Sequence, residues 1–137
     1  MRSIVAMLLS LPFLCACAGS AGSAAVSLRD LAAKRFVLTR VNDQSFVSKE
    51  RTPEIEFHDG MRVTGGVCNR FMGNGKLENG VLTVSELAST LMLCADQRLN
   101  SMERELTAML REGATVTLDG DNLTLSRGDV TYAYIRR

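Results

Sequence analysis

Apolar and polar residues alternate with a period of two through most of the chain after residue 35, and one stretch switches to a period near 3.6. Phe36 and Leu38, with Arg40, alternate against Val37, Thr39 and Val41, a run of β-formers that predicts a first strand. Just before it, Ser27-Leu28-Arg29-Asp30 has the form of a capping box and predicts a single helical turn ending by Lys34. Polar residues from Asn42 to Thr52 predict a loop. Ile55 and Phe57 share one face of the next run and Glu54, Glu56 and His58 the other, and Asp59-Gly60 turns it into Met61–Thr64. Asn79-Gly80 does the same between Lys76–Glu78 and Val81–Val84, as does the Asp119–Asn122 turn between Thr115–Leu118 and Leu123–Leu125; Arg127-Gly128-Asp129 leads into Val130–Ile135. From Asp96 to Arg111, Leu99, Met102, Leu106, Met109 and Leu110 recur at helical spacing, and Gly113 supplies a stop. The expected fold is mostly β, of α+β type: a small antiparallel curled sheet or open barrel of about seven to eight short strands, with one amphipathic helix packed on it.

The first two dozen residues break this pattern. Met1-Arg2-Ser3 is a short positive segment and Ile4–Leu14 an apolar one, about half the roughly 20 residues a membrane-spanning helix needs, so a cleaved signal peptide is expected over residues 1–16. Leu14-Cys15-Ala16-Cys17 resembles the lipobox of bacterial lipoproteins, which makes Cys17 the expected lipidation site; ordinary cleavage after Ala18, at Ala16-Cys17-Ala18, is the competing reading. Acyl chains on Cys17 would hold the domain to a membrane at about 0.8 kcal/mol per buried methylene. Residues 17–27, small and uncharged up to Val26, read as a tether reaching roughly 17 Å root-mean-square. By resemblance to Gram-negative lipoproteins, Ala18 in place of aspartate directs the protein to the periplasmic face of the outer membrane.

The 137 residues leave room for one domain, residues 28–137, behind this leader. Arg2 is the only charged residue before Arg29, and without it 15 basic side chains balance 15 acidic ones. That neutrality excludes the electrostatic footprint of a binder of nucleic acid or of anionic lipid. A monomer is expected.

Chemistry-bearing residues are sparse. Cys68 and Cys94 are the remaining cysteines, and an oxidising compartment favours their pairing; two buried free thiols, or a reactive or metal-binding thiol working with His58, are the alternatives. No C-x-x-C or H-x-x-x-H spacing supports a metal set, and His58 lies on the polar face of a strand beside a turn. Glu54 and Glu56 read as a solvent face and Ser89-Thr90 as bonding backbone, while Met92, Met102 and Met109 follow core spacing. Gly65, Gly66, Asn69, Arg70 and Gly73 mark a shaped bend: the glycines permit unusual backbone angles and close approach, and Asn69 can bond its own turn. That bend reads first as a bulge aiming Cys68 into the core, with a ligand-contacting loop as the alternative. No catalytic residue, metal or cofactor is expected.

Taken together, Gly65-Gly66-Val67-Cys68-Asn69-Arg70-Phe71-Met72-Gly73, the segment Leu87–Cys94 with Ser89-Thr90, Met92 and Cys94, and Met102-Glu103 on the helix resemble the META domain family, which includes the HslJ-like heat-shock lipoproteins of bacteria. Phe36 stands where that family usually has tryptophan, Val67 where it commonly has glycine, and no aromatic follows Gly73. The resemblance implies a small β-rich domain with a packed helix, in proteins linked to heat shock, drug tolerance and envelope stress, and no established reaction. The function expected is a non-enzymatic envelope lipoprotein binding a partner protein or a small hydrophobic ligand. A thiol or metal enzyme built on Cys68, Cys94 and His58, or an inhibitor or structural module presenting the 42–52 loop, are the alternatives.

Overall fold

Strand order in the computed structural model follows chain order, which is what a succession of tight hairpins produces. The structure describes residues 25–137; the leader, Cys17 and most of the tether lie outside the described residues. The strands are β1 (Lys34–Val41), β2 (Gln44–Ser45), β3 (Glu54–Phe57), β4 (Arg62–Gly66), β5 (Arg70–Glu78), β6 (Val81–Ser89), β7 (Ala114–Asp119), β8 (Asn122–Arg127) and β9 (Val130–Arg136), all pairing antiparallel. β1 also pairs with β9, Phe36 opposite Arg136 and Val41 opposite Tyr132. Eight strands therefore close into a barrel without free edges, and the two-residue β2 lies outside it, paired to β1 alone. Register irregularities between Leu38 and Arg40 in β1, and between Met72 and Asn74 where β5 meets β6, bend the strands as closure requires.

Alternate side chains fill the interior: Phe36 and Leu38 from β1, Ile55 and Phe57 from β3, Leu123 and Leu125 from β8, Tyr132 and Tyr134 from β9. Phe36 and Phe57 meet edge to face, 6.0 Å between centroids. Burial pushes the ionisation of Tyr134 upward, and that of Tyr132 rises through burial and its hydrogen bond to Glu105.

The register defines two poles. At the N-terminal pole, where β1 begins, lie α1 (Leu28–Leu31), the Asp59–Met61 turn and the Glu78–Val81 hairpin. The Asp30 carboxylate accepts from the amide (2.8 Å) and the hydroxyl (2.6 Å) of Ser27, and buried Leu31 plugs this end. Those bonds hold the Asp30 carboxyl below its ordinary range. At the opposite, loop pole lie the β1–β2 turn, the bend from Gly66 to Arg70 and the exit of β6 toward residue 90.

α2 (Gln97–Glu112) enters from the loop pole and buries Leu99, Met102, Leu106, Met109 and Leu110; beyond its end β6 and β7 pair over only two positions, Val81 with Thr115 and Leu82 with Ala114. Asp96 caps it, accepting from the Arg98 amide at 3.1 Å; the Arg98 guanidinium, 2.7 Å from the same carboxylate, brings its pKa down to about 2. Gly113, at φ +113°, ends the helix, its amide donating to the Met109 carbonyl.

Candidate functional site

Three segments from different parts of the chain meet at the loop pole: the bend at residues 67–69, the segment 90–94 and one face of α2. The bend is tight because the Val67 amide donates to the Asn69 carbonyl at 3.1 Å. It turns the amides of Cys68 and Asn69 the same way, and both donate to Oε2 of Glu103 on α2, at 3.1 and 2.6 Å. Successive amides aimed at one point form a cradle for an anion, filled here by a carboxylate of the same chain.

Asn69, only 5% exposed, ties this cradle to the third segment. Its Nδ2 donates to the Met92 carbonyl (3.0 Å) and to Glu103 (3.2 Å), while its Oδ1 accepts from the Met92 amide (2.7 Å) and the Thr90 hydroxyl (3.0 Å). All four hydrogen-bonding positions of the carboxamide are thereby used. Cys68 and Cys94 are joined in a disulfide, Cα atoms 5.7 Å apart across a sequence separation of 26, and buried Asn100 of α2 holds both the amide and the carbonyl of Cys94. With both sulfurs in one bond, neither is a free nucleophile or metal ligand. His58 lies at the N-terminal pole, where Nε2 meets the Thr64 hydroxyl at 2.7 Å, away from the disulfide.

Several expectations need correction. Gly65 and Gly66 lie in β4, and Arg70 and Gly73 in β5; of the five residues expected in one bend, Asn69 alone occupies it. The Asn69 side chain bonds Thr90, Met92 and Glu103, all more than 20 residues away, and only its backbone carbonyl serves its own turn. None of the three glycines has a positive φ. Close approach is what they provide: a Cβ on Gly73 would stand 2.5 Å from Val84 Cγ1 and 2.8 Å from the Ser85 carbonyl, and one on Gly65 2.6 Å from the Glu54 carbonyl. At Gly66 the nearest atom, 3.3 Å away, is the mobile end of Arg51. Gly73→Ala is therefore expected to cost about 2 kcal/mol through overpacking, and Gly66→Ala less than about 0.5 kcal/mol, in urea titrations of the two variants. Equal losses would remove the close-packing explanation.

The 42–52 segment, expected as loop, contains β2. Its partly buried Phe46 lies under the Arg98 guanidinium, 5.0 Å from the ring centroid. Between this hairpin and α2 opens a cleft of about 750 Å³, walled by Val41, Phe46, Met102, Arg98 and Glu105 among others. Tyr132 donates to Glu105 at 2.7 Å and fixes that carboxylate at its edge. Nothing in the strand pattern marked this cleft, because its walls come from segments about 50 residues apart. Met92 also departs from expectation: Met102 and Met109 are buried, but Met92 is exposed, because Asn69 holds its backbone inward.

The META domain family matches residues 29–137. This chain belongs to that family. Heat shock protein HslJ of Escherichia coli (strain K12) is 42% identical to it over 130 residues, 95% of this chain and 93% of that protein. A solved NMR structure, 43% identical, superposes with a TM-score of 0.75 and covers 80% of this chain and 94% of its own. A second NMR structure, of a protein from Burkholderia xenovorans, shares the fold at a TM-score of 0.66 and 17% identity, covering 100% of this chain and 97% of its own. The META resemblance carried by residues 65–73, 87–94 and 102–103 is thus borne out, and those residues form the cradle, the disulfide and the loop they fasten.

Proposed function

We propose that this META domain protein is a non-enzymatic envelope lipoprotein, held by acyl chains on Cys17 at the periplasmic face of the outer membrane, that contributes to stress or antibiotic tolerance by binding a partner protein or a small hydrophobic ligand. One observation carries the non-enzymatic part: the side chains of the family segments are engaged with one another. Cys68 is bonded to Cys94, Glu103 is held by two amides, and Asn69 has no hydrogen-bonding position to spare. Such groups hold a surface in shape and leave no activated nucleophile or base beside a substrate. The cleft between the β2 hairpin and α2, apolar at Val41, Phe46 and Met102 with a guanidinium and a carboxylate at its edge, has the character of a small-ligand site. The heat-shock name of the Escherichia coli relative supports the stress role.

The anchor is tested by metabolic labelling with palmitate. The native chain is expected to incorporate label and Cys17→Ala to lose it while the protein is still made. An unlabelled native chain would remove the lipoprotein reading.

A further inference from the structure

We propose that the cleft between the β2 hairpin and α2 takes a small cationic amphiphile, its apolar body against Val41, Phe46 and Met102 and its ammonium group at Glu105; this rests on the reading of the cleft as a small-ligand site. Its volume of about 750 Å³ lies within the range of such sites. Three charged side chains line it: the carboxylates of Asp43 and Glu105 and the guanidinium of Arg98. The sign of the ligand follows from which of these charges is left uncompensated.

Arg98 is compensated and fully engaged. Its Nε and one terminal nitrogen donate to the two carboxylate oxygens of Asp96, at 3.0 and 2.7 Å, the same terminal nitrogen reaches the Val47 carbonyl at 3.1 Å, and the guanidinium lies over the Phe46 ring. It is a wall of the cleft with its charge cancelled. Exposed Asp43 has Arg40 3.6 Å away. Glu105 differs. Among the described residues it takes part in no ion pair, and Arg104, its neighbour in sequence, turns to the Ser101 hydroxyl and lines a separate hollow with Asn69 and Leu93. Its partner is the hydroxyl of Tyr132, a neutral donor at 2.7 Å, which aims the carboxylate and leaves its charge intact. Tyr132 is buried in the barrel, so an exposed helix side chain is fastened to a rigid wall. Burial, with the bond itself, pushes the ionisation of this tyrosine upward and keeps it a donor.

One uncompensated negative charge is therefore held in place beside an apolar floor. An anion is repelled there, a neutral molecule gains the floor alone, and an ammonium amphiphile gains both. A carboxylate positioned in advance spares the ordering cost of binding, and the unbranched Met102 side chain adapts to bodies of differing outline.

Three probes with one naphthyl body test this: naphthylethylammonium, naphthylethanol and naphthylacetate. The full chain in phosphatidylcholine nanodiscs is titrated with each, and the methyl resonance of Met102 is followed, so that partition into lipid is not read as binding. The ammonium probe is expected to bind about fivefold more tightly than the alcohol, and the carboxylate most weakly. Glu105→Gln retains an acceptor for Tyr132 and should abolish the ammonium advantage while leaving the alcohol unchanged. Asp96→Asn retains a cap for α2 and uncovers the Arg98 charge, so the carboxylate probe should gain about fivefold. Equal binding of the three heads, or an ammonium advantage that survives Glu105→Gln, would overturn the proposal and leave the small-ligand reading standing. A Met102 resonance unmoved by all three probes would remove both.

Discussion

Replacing Cys68 and Cys94 together by alanine is expected to lower the melting temperature of the domain by about 10–15 °C. The bond closes a loop across a separation of 26 residues, which on chain-entropy grounds stabilises the fold by about 3.5 kcal/mol. A domain of this size shifts by roughly 4 °C for each kcal/mol. Thermal unfolding of the oxidised, reduced and doubly substituted chains checks it, with the reduced protein expected close to the substituted one. A loss below about 3 °C would mean that the Asn69 and Glu103 hydrogen bonds suffice to hold the bend, loop and helix together.

Removing the hub of those bonds should have an effect of similar size. Asn69→Ala deletes the partners of the Met92 amide, the Met92 carbonyl and the Thr90 hydroxyl and one donor to Glu103. Each buried polar group left without a partner costs about 1–3 kcal/mol. Because exposed Thr90 and the segment around Met92 can recover water, a total near 3 kcal/mol is expected, measured by urea unfolding. Exchange of the Met92 amide with solvent should accelerate markedly while amides of β8 and β9 keep their protection. The disulfide and Asn69 fasten the same two segments, so their losses should combine to less than their sum in a double-mutant cycle. Strict additivity would show that the two devices act on separate parts of the fold.

The residues differ in how openly they declared these roles. Leu99, Met102, Leu106, Met109 and Leu110 announce α2, and Asp96 and Gly113 its ends, because helix period and capping are local properties. Asp59-Gly60, Asn79-Gly80 and Asp119–Asn122 likewise place three turns. β5 was legible only in its second half: Gly73 and Gly75 give no apolar alternation, although their lack of a side chain is what admits Val84 and Val63. The segment from Leu91 to Leu93 reads as core by composition and lies outside, since the disulfide and Asn69 fix which way its backbone faces. Glu103 passes for an ordinary solvent-facing helix charge until the bend delivers two amides to it.

By itself the sequence determined the class of fold, the single packed helix, the hairpin turns and the pair of cysteines available for a bond, because each depends on residues within a few positions or on simple counting. It also carried the family resemblance. Only the tertiary structure decided that the sheet closes through β1 and β9, that Asn69 and Glu103 lock three distant segments, and that exposed Leu91–Leu93 and a cleft share the pole opposite α1. Those outcomes depend on contacts between residues tens of positions apart, whose geometry is set by strand register and barrel closure and leaves no periodic trace along the chain.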